Sequence, residues 1–240
     1  SYTLDLENIS NIAIFTTNTP HHNYFLQEIA KKEEIRLVFF EKKKVKFKFK
    51  TSHPFEEKRN IYEKNLIAKS KKNHKQNYKK INVFSINDIS VQKKLIKNQI
   101  DLIFVFGTGK IKKKLINKYK NKILNFHGGN PEEYRGLDSH LWSIYHNDMS
   151  NICSCLHVVD EKIDNGKIIF RKKINLNKND KLHKLQIINT KTCVKIFFNY
   201  LNLLKRKKKI KLISQKKKGK YYSAMPTCLK SICLKKFNKD

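Results

Sequence analysis

Arginine is scarce in this sequence. Only Arg36, Arg59, Arg135, Arg171 and Arg206 stand among 53 basic residues, in a chain whose net charge is +33. Proteins that read base edges lean on arginine, whose planar fork makes bidentate contacts, so this charge does not read as a base-reading surface and nucleic acid is not the expected partner. Lysine carries the charge instead, in runs at 42–50, 69–80 and 205–220 that lack a stacking pattern of aromatics. They read as solvated faces and loops, and their dispersed field would draw a phosphate-bearing substrate. Long apolar runs are missing: none nears the roughly 20 residues that a membrane helix needs. The first ten residues carry acids with no basic-then-apolar order, so no secretory signal is expected. Five cysteines without regular spacing make no disulfide framework. Cys153-Ser-Cys155 has no second pair at zinc spacing, so no metal is expected. A reduced, cytoplasmic protein follows.

What is present is enough for a core. The 240 residues, 39% hydrophobic, fit one large domain or a core with an appendage. Residues 12–17 form a compact apolar run, the first strand. Pro20 then sits near a helix start, and 22–32 place Tyr24, Phe25, Ile29 and Ala30 at helical spacing. Residues 35–40 read as a second strand, and this strand–helix–strand order predicts a right-handed parallel crossover. Residues 45–49 alternate apolar and basic, a marginal strand or part of an insertion. A charged helix is predicted over 56–68, a strand over 81–84, and a helix over 91–98 with Val91, Leu95 and Ile96 inward. Residues 101–106 are the most apolar strand, as a central parallel strand should be. Gly107-Thr108-Gly109 ends it, and a helix begins near Ile111. Helix is expected again over 137–147, with Trp142 in the core, followed by a strand pair at 151–160 and 166–176. A long helix spans 182–204 with Leu182, Leu185, Ile188, Thr192, Ile196 and Leu203 inward. The chain divides into a core, 1–204, and a basic linker with a small appendage, 205–240.

The stretch that organises the chain runs from Lys122 to Gly136. Ile123, Leu124 and Phe126 are the apolar body of a short strand; Asn125 and His127, two residues apart, point to one face of it. Gly128 and Gly129 follow, and Pro131 forbids the strand from continuing. A strand that delivers an amide and an imidazole side by side and opens into a glycine turn fits an active site at the carboxyl end of a parallel sheet. A turn-stabilising cap is the other reading of the same residues. About forty residues on, residues 158–169 read as strand, loop, strand, with Asp164 in the loop. His157 and His146 are the competing histidines, and His157, on a strand, reads as a core or edge residue.

Asn125-Phe-His127, Tyr134-Arg135-Gly136 and Asp164-Asn-Gly166 together resemble the formyltransferase family that uses N10-formyltetrahydrofolate. The resemblance covers about 12–199 and is strongest over 106–169. It implies an α/β, Rossmann-like core with a mainly parallel sheet flanked by helices, plus a short C-terminal appendage. It also implies formyl transfer from N10-formyltetrahydrofolate to an amine, with no metal. Asn125 would donate to the formyl oxygen. His127 would donate or take a proton, and Asp164 would orient His127. The turn Phe106, Gly107, Thr108, Gly109, Lys110, Ile111 would line the folate pocket together with Val159, Asp160 and Ile163; a plain tight turn is the alternative for 107–109.

Three branches of the family take different amines. His127-Gly-Gly-Asn-Pro-Glu-Glu-Tyr-Arg-Gly-Leu-Asp-Ser-His-Leu-Trp142 looks most like the N-formyltransferases of nucleotide-linked amino sugars, which act on dTDP-, GDP- or UDP-linked 4-amino-4,6-dideoxy sugars. On this reading Gly128, Gly129 and Asn130 shape the opening for the amine, and Tyr134 and Arg135 hold the loop or touch substrate. For Arg135 a buried clamp on backbone carbonyls is the alternative. The methionyl-tRNA branch carries a His-x-Ser-Leu-Leu-Pro run that is absent here, and the glycinamide ribonucleotide branch carries a glycine-rich start that is absent after residue 17. An RNA-binding protein without catalysis rests on charge alone. A homodimer through the tail and the end of the long helix is a further expectation.

Overall fold

The computed structural model describes residues 2–3, 11–70 and 78–238. In chain order the elements are β1 (Tyr2–Thr3), β2 (Ile12–Thr16), α1 (Pro20–Ala30), β3 (Leu37–Glu41), α2 (Pro54–Ser70), β4 (Lys79–Val83) and α3 (Ile89–Lys97). Next come β5 (Leu102–Phe106), α4 (Lys113–Lys118), β6 (Ile123–Gly128), β7 (Tyr134–Gly136), α5 (Ser139–Tyr145), β8 (Cys153–Val158) and β9 (Ile168–Lys173). The last are α6 (Leu185–Lys205), β10 (Lys211–Leu212), β11 (Lys220–Tyr222) and α7 (Thr227–Phe237).

Seven strands form one sheet in the order β4-β3-β2-β5-β6-β8-β9. The pairs from β4 to β6 are parallel, and β8 and β9 add antiparallel. Every residue of β2, β3 and β5 is buried, because a parallel sheet has helices on both faces. Alternation then sorts their side chains between two cores. Ile12 and Ile14 of β2 join Leu102, Phe104 and Phe106 of β5 on the face covered by α1 and α6. Ala13, Phe15, Ile103 and Val105 face α3 and α4. The expected fold class is therefore the observed one, with β5 in the middle of the sheet.

Some local expectations are corrected. Residues 45–49 form no strand. Ile96 is half exposed rather than inward, because the short α3 turns only Val91 and Leu95 into the core. On α6 the buried set includes Ile187, Thr190, Phe197, Tyr200 and Leu201, while Ile188, Leu203 and Trp142 of α5 are only partly buried. Residues 71–77 of the loop expected before β4 lie outside the described residues. The expected appendage holds a helix that the sequence reading omitted. There α7 packs on α5, and β11 pairs in parallel with β7. The buried Lys230 ammonium donates to the Thr51 carbonyl at 2.6 Å and to Glu56 Oε1 at 2.9 Å. Among the described residues no helix is long and apolar enough to cross a membrane.

Tyr200 is fully buried against Phe104, and among the described residues its hydroxyl has no hydrogen-bond partner. A buried unpaired hydroxyl carries its desolvation cost uncompensated, so Tyr200→Phe is expected to stabilise by about 1 kcal/mol. Thermal unfolding should then shift up by about 2–4 °C for a chain of this size. A lower Tm in this variant would mean that the hydroxyl is paired after all.

Candidate active site

β6 and β8 run side by side with Asn125 directly opposite His157. The loop after β8 returns Asp164 to this pair, with φ +50 at Asp164. That left-handed conformation is one that aspartate tolerates better than most residues. The carboxylate is buried and lies between two imidazoles: Oδ2 is 3.4 Å from His127 Nδ1, and Oδ1 is 3.3 Å from His157 Nε2. The Gly136 backbone N–H donates to Oδ2 at 2.8 Å. Burial alone would raise the Asp164 pKa. The charge of His127, the hydrogen bond and charge of His157 and the Gly136 N–H outweigh it and hold the carboxyl well below the usual range.

The amide of Asn125 donates to His157 Nε2 at 3.2 Å and lies 3.4 Å from Asp164 Oδ1. The second contact is long, so this hydrogen can pass to an incoming ligand oxygen at small cost. His157 Nδ1 is 2.9 Å from the Val158 carbonyl, which makes Nδ1 the donor and turns Nε2 towards Asn125 and Asp164. Both nitrogens of His127 face acceptors: Nε2 is 2.8 Å from the Tyr134 carbonyl, and Nδ1 faces Asp164. Asn125, His127 and Asp164 are thus brought together. His157, read from the sequence as a core or edge residue, is a fourth member of the cluster. Its direct cross-strand position opposite Asn125 was invisible before the antiparallel register of β8 was known.

The residues expected to shape an acceptor site divide. Gly129 (φ +146) has no room for a side chain, because a Cβ there would lie 2.8 Å from Ser139 Cβ and 3.3 Å from His127 Nε2. At Gly128 a Cβ would press on His140 at 3.2 Å. His140 bonds the Cys153 carbonyl at 2.7 Å, and burial pushes its pKa down to about 4. The side chains of the other three are engaged inside the protein. Asn130 bonds Asn151 and accepts from Arg171. The buried Tyr134 hydroxyl donates to Asp148 Oδ2 at 2.9 Å. Arg135 is buried and donates through Nε to the Pro131 carbonyl at 2.8 Å, and through its other two nitrogens to Asn165 and Gln215. The clamp is therefore what the structure holds at Arg135. Each of its three nitrogens has a partner within the protein.

The turn at 106–111 follows β5, which lies beside β6 with Val105 opposite Asn125. Its backbone is held from three sides. Glu41 Oε1 accepts from Gly109 N at 2.7 Å, Asn87 donates to the Lys110 carbonyl, and His22 lies beneath Gly107. Phe106 and Ile111 are buried, whereas Gly107, Gly109 and Lys110 are exposed. Across from it, Val159 packs on the same core as Ile111, Ile163 is exposed, and Lys113 Nζ pairs with Glu161 Oε1 at 3.1 Å. Asp160 accepts from Lys162 N and Asn165, so its carboxylate ties its own loop. Thr108 points its hydroxyl at the neighbouring Gly109 carbonyl.

At Gly107 (φ +86) an added Cβ would meet His22 Cε1 at 2.3 Å. The His22 ring cannot give way easily: Nδ1 is bonded at 2.8 Å to the Thr17 and Thr19 hydroxyls, and burial pushes its pKa down to about 3. Gly107→Ala is expected to destabilise by about 1–3 kcal/mol, as overpacking and positive-φ strain do. It should also disturb whatever ligand the turn holds. Unchanged thermal stability would contradict this packing.

The sequence model of the family described as "Formyl transferase" matches residues 10–197. A methionyl-tRNA formyltransferase from Finegoldia magna is 32% identical over 121 residues, covering 48% of this chain and 39% of that protein. The trifunctional purine biosynthetic protein adenosine-3 of Chironomus tentans is 29% identical over 99 residues, 41% of this chain and 7% of that protein. The chain thus spans well under half the length of these curated relatives. Among solved structures, the formyltransferase PseJ from Anoxybacillus kamchatkensis superposes with a TM-score of 0.55 at 20% identity, covering 89% of this chain and 86% of that one. At that identity the likeness shows the fold.

Proposed function

The chain belongs to the formyl transferase family, and from this premise we propose that it transfers the formyl group of N10-formyltetrahydrofolate to the amine of a nucleotide-linked amino-dideoxy sugar, for surface glycan biosynthesis. The observation that carries the transfer reaction is the convergence of Asn125, His127 and Asp164 on β6 and the loop after β8, next to the turn that follows β5. The acceptor class is supported by the run from His127 to Trp142, and by the PseJ structure, which was solved with UDP-4,6-dideoxy-4-formamido-L-AltNAc and tetrahydrofolate.

The residues at 106–111 and 159–163 would hold the folate, which supplies the formyl group when bound. As an amine adds to a formyl carbon, negative charge collects on the oxygen, so the site needs a donor and a positive charge aimed there. Asn125 supplies the donor through the amide hydrogen held loosely against Asp164. His127, kept in place by Asp164 and the Tyr134 carbonyl, can supply that charge when it carries a proton on both nitrogens. With Nε2 free of a proton, His157 can take one from the added amine, directly or by way of Asp164, and return it to the departing donor nitrogen as the bond from that nitrogen to the formyl carbon breaks and the oxyanion collapses to the new formamide.

A second reading, transfer to methionyl-tRNA, is favoured by the 32% identity with that enzyme and by the net charge of +33. The test offers N10-formyltetrahydrofolate with dTDP-, GDP- and UDP-linked 4-amino sugars, and with methionyl-tRNA, to the same preparation. Formylation of at least one nucleotide sugar and none of the tRNA is the expected result. Formylation of methionyl-tRNA alone would replace the sugar reading.

A further inference from the structure

β7 has two neighbours. On one side its backbone meets the catalytic cluster: the Tyr134 carbonyl bonds His127, and the Gly136 N–H bonds Asp164. On the other it pairs in parallel with β11, Lys220 opposite Tyr134 and Tyr222 opposite Gly136. A cleft of about 340 Å³ opens there, one strand away from the cluster. Alternation along β11 turns Lys220 and Tyr222 into this cleft together. Gly219 lets the chain approach, since a Cβ there would lie 2.6 Å from the Pro131 carbonyl oxygen.

The cleft has two chemically distinct walls. One is aromatic. The Tyr222 ring stacks at 4.9 Å on Trp142, which in turn stacks on His146, and the Tyr222 hydroxyl is 3.3 Å from His146 Nε2. His146 is exposed, and Tyr222 is partly so. The other wall is basic, formed by Lys217, Lys218 and Lys220. Two acids also line the cleft, but both are engaged. Glu132 accepts from Lys216 N at 2.6 Å and pairs with Arg171 at 2.8 Å, and Glu133 pairs with Lys217 at 3.1 Å. Among the described residues, Lys218 and Lys220 carry no ion pair. A flat aromatic face beside two unpaired ammonium groups suits a ligand with a ring at one end and an anion at the other. A base stacks on aromatic and histidine faces whatever its identity, and lysines meet phosphates as point charges.

Resting on the acceptor reading above, we infer that this cleft is the nucleoside-diphosphate subsite. The base lies against the exposed His146 ring, since Tyr222 is already stacked on both Trp142 and Tyr134, the diphosphate lies on Lys218 and Lys220, and the attached sugar reaches back past β7 towards His127. A neighbouring cleft, lined by Asn130, Asn151, Cys153, Arg171 and Lys173, has no aromatic wall. Its Arg171 is already bonded to Asn130 and Glu132. It offers a ring nothing to stack on.

The test is isothermal titration of the full chain with dTDP, UDP and GDP, and with inorganic pyrophosphate as the baseless control. Lys218→Glu/Lys220→Glu and His146→Ala are each expected to weaken the bound nucleoside diphosphate at least tenfold with Tm unchanged; His146→Ala should leave pyrophosphate unaffected. Lys178→Glu/Lys181→Glu alters the same net charge at exposed positions between β9 and α6. It should weaken binding less than twofold, because a diffuse field would treat both double variants alike. Nucleotide binding that is indifferent to the cleft variants, or equally weakened by both charge reversals, overturns this subsite and leaves the acceptor reading standing. Binding of tetrahydrofolate with no nucleoside diphosphate bound, or tight binding of tRNA in their place, overturns both.

Discussion

Asp164→Asn should lower formyl transfer on the order of 10³–10⁴-fold, the scale on which removing the carboxylate that fixes a catalytic imidazole is felt. The expectation follows from where the group sits. One buried carboxylate faces His127 with one oxygen and His157 with the other, and the Gly136 N–H fixes its orientation. An asparagine fills the same space and can still accept from Gly136. Its NH₂ must then turn towards an imidazole nitrogen, and the negative charge facing both imidazoles is gone. Both histidines change their hydrogen-bonding role in one substitution. Steady-state transfer with a saturating acceptor reads the effect, and folate binding in the variant separates it from loss of the pocket. Turnover within tenfold of the parent would remove Asp164 from the machinery.

The same group makes a stability prediction with a definite sign. Its native pKa lies below its unfolded value of about 3.9. The stabilisation it gives is therefore complete above about pH 4 and is lost as pH falls through the depressed native value. Asp164→Asn should be less stable than the parent at neutral pH, and the gap in Tm should narrow only below about pH 4. A gap that narrowed instead between pH 5 and pH 8 would point to the histidines as the titrating groups.

How much of this was legible in the sequence depends on the range of the interaction that decides each feature. The strands β2, β5 and β6 could be read because each is an apolar run bounded by polar or glycine residues, a signal contained in a few positions. Asn125 and His127 could be placed on one strand face for the same reason, and the loop position of Asp164 followed from the turn residues around it. His157 could not. It occupies one more position in an apolar stretch, and only the register of β6 against β8 turns it onto Asn125. α6 was found, but its buried face was misjudged. The helix packs on both α1 and the sheet, so its inward surface is broader than a single stripe, and Asn189 and Thr190 are buried as well. α7 escaped notice because its sequence looks basic, and the burial of Lys230 depends on Thr51 and Glu56, more than 170 residues away. Arg135 was left open between clamp and contact, and its partners in the fold, Pro131, Asn165 and Gln215, come from three separate stretches of chain. A family motif marks a residue as constrained; which constraint it obeys is a matter of tertiary contacts.

The amide of Asn125 gives the second large effect. Asn125→Ala should reduce transfer by about 10²–10³-fold, as loss of one oxyanion donor does, while the protein folds normally. Little in the fold depends on this side chain. It is partly exposed, and its contacts in the cluster are the 3.2 Å bond to His157 and the long contact to Asp164. The contrast with His127 is informative. His127 also holds the Tyr134 carbonyl and so the edge of β7, which means that its loss mixes chemistry with structure. If Asn125 acts on charge that develops only during the reaction, kcat and kcat/KM should fall together and KM should stay near the parent value. A raised KM with kcat preserved would instead make Asn125 a ground-state contact to the formyl donor. Asn125→Asp provides the sharper comparison. It keeps the shape, but it removes both N–H donors and adds a second carboxylate beside Asp164, so it should be at least as impaired as alanine. Partial activity in the aspartate variant that is lost in alanine would show that position 125 acts by size rather than by donating a hydrogen bond.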